Sequence, residues 1–340
     1  MSETTIEILI TLPFSEEQIK QLESLSSRLQ IRAIRATKVE DIAPEFWATA
    51  DVLYTDRLLP TPEQAPNLGW IQFHWAGISH VEGAPILDKP GLRVTTLSGA
   101  AASKAAEFVA LMLLAFGHRF VDLMDNQQKA EWPADRWERF RPRELRGSTV
   151  GIVGYGSIGR QVAWLLRPFG AQVLATKRDA MHPEESGYAP EGWGDPQGAL
   201  VHRLYPAEAI RSMARECDFL VITVPLTEKT RNLIDASVLS AMKPTAFLVD
   251  VSRGGVVDHA ALVAALKEHR LAGAALDVFS KEPLPPESPL WKTPNVILTP
   301  HVAGITPFYN DRALDLFSEN LQRFLAGYPL LNLYEPDKGY

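Results

Sequence analysis

Residues 148–179, STVGIVGYGSIGRQVAWLLRPFGAQVLATKRD, constrain the fold more than any other part of the chain. A short apolar strand ends at Val153, the turn Gly154-Tyr155-Gly156-Ser157-Ile158-Gly159 opens a helix, and a second apolar run reaches Thr176. A glycine string of this kind is weak by itself. Placed after a strand and before a helix and a further strand, it predicts a βαβ unit whose turn receives a dinucleotide pyrophosphate. Gly154 allows the tight turn, and the missing side chain at Gly156 lets phosphate oxygens approach the backbone. Helix N–H groups without intrahelical partners then face the anion.

The residues after the second strand choose the cofactor, because a carboxylate there accepts hydrogen bonds from the ribose hydroxyls of NAD. Here Thr176 is followed by Lys177 and Arg178. Two cations suit a ribose 2′-phosphate, so NADP(H) is the preferred cofactor expected. NAD(H) stays open, since Asp179 becomes the ribose acceptor if the strand ends one or two residues later.

At 340 residues the chain exceeds what one hydrophobic core usually organises, which predicts two domains. Apolar runs at 6–12, 31–34, 51–55, 70–73 and 92–95 read as strands before the glycine turn, with Ser15 capping the first helix. Runs at 149–153, 172–176, 218–224, 245–250, 272–277 and 295–299 read as strands from the turn onward. Alternation with helical stretches predicts parallel sheets covered on both faces. One long helix is expected from about Ala101 past Phe120. A C-terminal helix is expected to open at Thr306-Pro307, with Phe317, Leu321, Phe324 and Leu325 along one side.

Segment 182–202 is rich in Gly and Pro, lacks periodicity and is too long for an ordinary connection. As it follows Arg178, it is expected to border the adenosine end of the cofactor. The Arg-rich stretch 135–146 reads as a solvated face, with Trp132 and Trp137 packed against something.

The balance of 34 basic against 41 acidic residues, a net charge of −7, argues against nucleic acid as a partner. The single cysteine, Cys217, excludes an intrachain disulfide, and its apolar surroundings predict a buried thiol. No ligand cluster points to a metal, and no apolar run is long enough to span a membrane. Acidic residues ahead of the first apolar stretch do not fit a cleaved leader, so a cytoplasmic location is expected.

Three further segments, LVDVSRGGVVD, AALDVFSKEPLPPESPLW and NVILTPHVAG, place an Arg, a Glu and a His at or just beyond the ends of three consecutive strands. Doubly wound sheets hold their ligands there. With TTLSGAAASKAAEFVALMLLA and VPLTEKTRNLID in the same order, the chain resembles the D-isomer-specific 2-hydroxyacid dehydrogenase family over nearly its whole length. The resemblance implies an NAD(P)-dependent oxidoreductase acting on a small 2-oxo or 2-hydroxy acid such as glyoxylate, hydroxypyruvate or pyruvate. Its catalytic residues fall on Arg253, Glu282 and His301.

Those residue types suit the chemistry. As imidazolium, His301 can give the proton that a carbonyl oxygen gains when hydride reaches its carbon. Glu282 would favour that form and fix the ring nitrogen facing substrate. Arg253 can bind the substrate carboxylate and polarise the carbonyl.

The resemblance has further implications for the site, the assembly and the fold. Thr223 and Pro225 would line the cofactor, and Asp277 would accept from the nicotinamide carboxamide. The backbone N–H groups of Trp75-Ala76-Gly77-Ile78 would hold the substrate carboxylate. A homodimer would use the helix near 101–121. The implied fold is α/β, with two doubly wound parallel-sheet domains. A Rossmann cofactor domain (104–301) would be inserted into a flavodoxin-like substrate domain (1–103 and 302–340).

Asp258 reads instead as a helix cap. Two other readings stay open: an NAD(P)-sensing, corepressor-like binding protein, and an enzyme oxidising another small anion such as phosphite. Formate is disfavoured, because formate-oxidising relatives carry Gln where Glu282 stands.

Overall fold

The computed structural model describes residues 5–185, 187–189 and 192–335. The chain divides into two compact units, residues 1–100 with 306–340 and residues 101–305.

In the first unit five parallel strands, β1 (Ile6–Ile10), β2 (Leu29–Ala33), β3 (Val52–Thr55), β4 (Trp70–Phe73) and β5 (Arg93–Thr95), lie in the order β2-β1-β3-β4-β5. That is the flavodoxin-like doubly wound order. Because side chains alternate across a strand, Leu9, Leu53, Ile71 and Phe73 pack with Trp47 of helix α2 (Pro44–Thr49) on one face. Ile8, Ile10, Tyr54 and Trp70 pack on the other face with Leu22 of α1 (Glu16–Glu23) and with Phe317 and Leu321 of the C-terminal helix. Ser15 caps α1 in a reciprocal capping box with Gln18.

The C-terminal helix runs Tyr309–Ala326, two residues later than Thr306-Pro307 predicts. The Thr306 hydroxyl accepts from the Phe308 N–H at 3.3 Å and so closes a turn ahead of the helix. Asn320 on this helix is fully buried, donates to Gln72 and accepts from the Leu331 N–H at 2.7 Å.

The second unit carries seven parallel strands: β6 (Thr149–Val153), β7 (Gln172–Lys177), β8 (Arg203–Pro206), β9 (Phe219–Ile222), β10 (Phe247–Asp250), β11 (Gly273–Leu276) and β12 (Val296–Leu298). Their order, β12-β11-β10-β9-β6-β7-β8, reverses direction between β6 and β9. Ligands of such sheets bind outside the strand carboxyl ends at that switch point. Helices α3 (Ala102–Gly117), α4 (Phe120–Gln128), α5 (Arg136–Arg139), α6 (Ser157–Leu166), α7 (Ile210–Ala214), α8 (Ala236–Ala241) and α9 (His259–Lys267) complete it, and an apolar cluster covers each face. Asp258 caps α9 by accepting from the Ala260 and Ala261 N–H groups.

Three local expectations need correction. The helix expected from Ala101 past Phe120 breaks after Gly117. The Arg143 carbonyl would lie 2.6 Å from a Cβ on Gly117, and the chain restarts through Arg119 in the left-handed region at φ 53°. Strand β8 was not foreseen, because Arg203 and Pro206 hide its alternation behind an irregular segment. Trp132 and Trp137 are 86% and 78% exposed, so within this chain they pack on little. Cys217 is buried, and no helix among the described residues is long and apolar enough to cross a membrane.

Candidate active site

The glycine turn sits where β6 ends. Gly154 adopts φ +98°, and its N–H donates to the Thr176 hydroxyl at 3.2 Å. Thr223 donates to the Gly154 carbonyl at 2.7 Å from the end of β9. A Cβ on Gly159 would overlap the Gly154 carbonyl, so only glycine lets α6 start this close to the turn. A Cβ on Gly156 would meet nothing within 4 Å, and no side chain caps α6. Open space before an uncapped ten-residue helix fits a pyrophosphate.

Two residues expected at the cofactor are otherwise engaged. Thr176 is 3% exposed, and its hydroxyl closes the turn. Tyr155 is 1% exposed, its N–H donates to the Thr176 carbonyl, and its hydroxyl donates to Asp195 at 2.5 Å. Neither side chain faces outward. Ser157 and Ile158 occupy the first turn of α6, half-buried, and Pro225 is half-buried with its carbonyl bonded to Thr230.

Segment 182–202, of which residues 186, 190 and 191 lie outside the described residues, is tied to this βαβ unit. Arg160, buried one position beyond Gly159, donates to the carbonyls of Asp195 and Pro183. The Asp195 carboxylate accepts from Tyr155 and from the Ala199 and Leu200 N–H groups. Trp193 lies against Trp164 of α6, ring centroids 4.7 Å apart. The Lys177 amine donates to the carbonyls of His182 and Glu184, and burial lowers its pKa. Asp179 accepts from Met181 and pairs with His182 at 2.6 Å, and that bond lowers its pKa. Arg178 is exposed. Sequence reasoning missed Arg160 and Asp195. The available signal was a charged residue on an otherwise apolar helix face just after the third glycine.

Arg253, Glu282 and His301 follow β10, β11 and β12. His301 Nδ1 lies 2.8 Å from Glu282 Oε2, while Glu282 Oε1 accepts from the Phe279 N–H at 2.9 Å. Burial pushes the Glu282 carboxyl up, but the His301 and Phe279 hydrogen bonds and the charges of His301 and Arg253 outweigh it and hold the pKa below its ordinary value. His301 itself sits at φ 55°, a conformation costing a non-glycine residue about 1–3 kcal/mol.

What maintains that conformation is Asp277, 1% exposed. Its carboxylate accepts from the Thr299 hydroxyl and the Val302 N–H through Oδ1 and from the Ala303 N–H through Oδ2. Expected at the cofactor carboxamide, Asp277 thus clamps the histidine turn. Arg253 is exposed, donates to the Ser252 carbonyl at 2.8 Å, and is followed by Gly254, where a Cβ would overlap the Phe279 carbonyl. The arginine turn therefore packs directly on the loop leading to Glu282.

In the first unit, the N–H groups of Trp75, Ala76, Gly77 and Ile78 donate to no acceptor among the described residues. Four adjacent N–H groups of this kind suit an anion. Trp75 is 44% exposed, and its indole N–H donates to Asp56 at 2.6 Å. His74 is bonded to the Tyr54 hydroxyl at 2.8 Å, and burial lowers its pKa to about 4, so it stays neutral near pH 7. Among the described residues no group of His, Cys, Asp and Glu is arranged to hold a metal.

Taken as a whole, the second unit has the constitution of a dinucleotide-dependent oxidoreductase. Residues 110–303 match the family model of the D-isomer specific 2-hydroxyacid dehydrogenase NAD-binding domain. A glyoxylate reductase of Thermofilum pendens is 35% identical over 278 residues, covering 81% of this chain and 77% of the relative. A D-3-phosphoglycerate dehydrogenase of Methanocaldococcus jannaschii is 30% identical over 326 residues, 95% of this chain and 58% of the relative. Among solved structures, a D-isomer specific 2-hydroxyacid dehydrogenase from Xanthobacter autotrophicus Py2, in complex with NADPH and MES, superposes with a TM-score of 0.79 at 27% identity, over 99% of this chain and 100% of that one. The chain belongs to the D-isomer specific 2-hydroxyacid dehydrogenase family and is an NAD(P)-dependent oxidoreductase of 2-hydroxy acids.

Proposed function

We propose that the protein reduces a small 2-oxo acid, such as glyoxylate, hydroxypyruvate or pyruvate, with NADPH favoured over NADH. The observation that carries the reading is the 2.8 Å bond between His301 and Glu282 beside the Arg253 turn, at the carboxyl ends of adjacent strands. With Nδ1 turned to Glu282, His301 presents Nε2, and as imidazolium gives its Nε2 proton to the substrate carbonyl oxygen; solvent restores the proton afterwards. Glu282 fixes that orientation and balances the imidazolium charge. Arg253 binds the substrate carboxylate and draws electron density toward the carbonyl oxygen. The free N–H groups of residues 75–78 are, by themselves, a proposed anion hold of the first unit. When bound, the nicotinamide supplies the hydride. The glyoxylate reductases among the relatives support this substrate class.

The unfilled space at Gly156 and the uncapped start of α6 are the proposed pyrophosphate seat. The NADPH preference is proposed to rest on Arg178, with Lys177 holding the neighbouring segment in place. Asp179, bonded to His182 and Met181, is less available as a ribose acceptor, and the Xanthobacter relative was captured with NADPH. The test is a panel of 2-oxo acids assayed with each reduced cofactor. NADPH should give the higher kcat/KM, and Arg178→Ala should lower the NADPH value about tenfold or more while sparing NADH. A wild-type preference for NADH overturns the cofactor proposal, and binding of both cofactors without turnover of any acid in the panel overturns the substrate proposal.

A homodimer is proposed through α3 and α4, where Leu111, Phe120, Val121, Leu123 and Met124 are exposed. The protein should sediment as a dimer, and Asp at both Leu111 and Met124 should reduce it to a monomer. A monomeric wild type refutes this.

A further inference from the structure

We propose that Asp250, beside Asp277 on the neighbouring strand end, is a positioning residue for Arg253 that acts as a neutral acid. The proposal rests on Arg253 and His301 being the side chains that meet substrate.

Asp250 is the last residue of β10 and is 1% exposed. Its Oδ1 accepts from both the Ser252 N–H (3.0 Å) and the Ser252 hydroxyl (2.5 Å), which folds the chain into the turn that delivers Arg253. Its Oδ2 has no hydrogen-bond partner among the described residues. Asp277 stands just past the end of β11, its N–H donating to the Asp250 carbonyl at 3.0 Å, and its carboxylate clamps the His301 turn. Each of two adjacent buried acids therefore holds one catalytic turn.

Their oxygens are not equally partnered. Asp277 accepts three hydrogen bonds, and both of its carboxyl oxygens have a partner. Asp250 leaves one oxygen bare, and an ionised carboxylate buried in that way is costly. A proton on Oδ2 removes the charge and leaves Oδ1 to accept from Ser252. The charged groups that act on Asp250 are Asp277 from the β11 side and Arg253 from its own turn, while Ile222 is its register partner in β9. Burial first, and then the Asp277 charge, push its pKa up to about 7 against the opposing Ser252 bonds and Arg253. An Asp raised in the folded state binds more protons than the unfolded chain between its ordinary value and about 7, so its contribution to stability is lost as pH rises through that window.

The test compares wild type with Asp250→Asn and Asp250→Ala. Infrared difference spectra between about pH 5 and about pH 8 should show a carboxylic-acid carbonyl band that is absent from D250N. The melting temperature of D250N relative to wild type should rise over the same range by about 5 °C or more. D250A, which leaves the Ser252 N–H and hydroxyl without their acceptor, should raise KM for the oxo acid about tenfold, and D250N should recover most of that loss through its amide oxygen.

A spectrum lacking the acid band, or a melting difference that does not change with pH, overturns the neutral-acid assignment. An unchanged KM in folded D250A overturns the positioning role. The infrared and melting arms need no turnover, so they stand or fall separately from the proposed reaction.

Discussion

Asparagine in place of His301 is expected to lower kcat about 10³-fold, the scale lost when a positioned general acid is removed, while leaving cofactor affinity near that of wild type. Asparagine is the informative substitution because position 301 lies at φ 55°, and Asn tolerates that region better than most residues. Asp277 holds the turn through Thr299, Val302 and Ala303 and makes no bond to the imidazole, so the backbone should keep its shape. Steady-state rates of 2-oxo acid reduction, with cofactor binding followed by reduced-nicotinamide fluorescence, separate the two quantities. A fall of less than tenfold in kcat would remove His301 from the proton-transfer role.

Arg253→Ala should lower kcat/KM about 10³-fold, mostly through KM. Two charge-assisted hydrogen bonds to a carboxylate together contribute about 4 kcal/mol, which converts to roughly that factor. Arg253→Lys should restore little, since an ammonium lacks the planar pair of donors that a carboxylate accepts. The backbone supports a local interpretation: Gly254 lies too close to the Phe279 carbonyl for any side chain, so the turn has little room to rearrange around a smaller residue. Equal KM values for R253A and wild type across the acid panel would remove Arg253 from carboxylate binding.

Much of the sheet architecture was legible because buried parallel strands are short apolar runs, and β1, β4, β6 and β10 all fall within the runs read from the sequence. The proximity of Glu282 to His301 was legible for a related reason. Both follow adjacent strands, and parallel strands deliver their carboxyl ends to one edge. What stayed hidden were side chains whose work is done on distant backbone. Arg160 bonds carbonyls of Pro183 and Asp195, and Asp277 bonds N–H groups of Val302 and Ala303, at separations no local pattern encodes. Tyr155 stands inside the glycine turn, where sequence spacing suggested a ligand; its contact is instead Asp195, forty positions onward. The helix break at Arg119 was hidden for the same reason, because the Arg143 carbonyl that crowds Gly117 is remote in sequence.

The lone thiol has a practical consequence. Cys217 is buried and its pKa is pushed up to about 12, chiefly by burial, so near neutral pH it offers almost no thiolate to a maleimide. The natural chain is therefore already silent toward thiol-directed dyes, and one engineered cysteine would be labelled alone. Met181, 85% exposed on the turn pinned by Lys177, is a ready place for such a probe, where a fluorophore would report ordering of that turn as nucleotide is added.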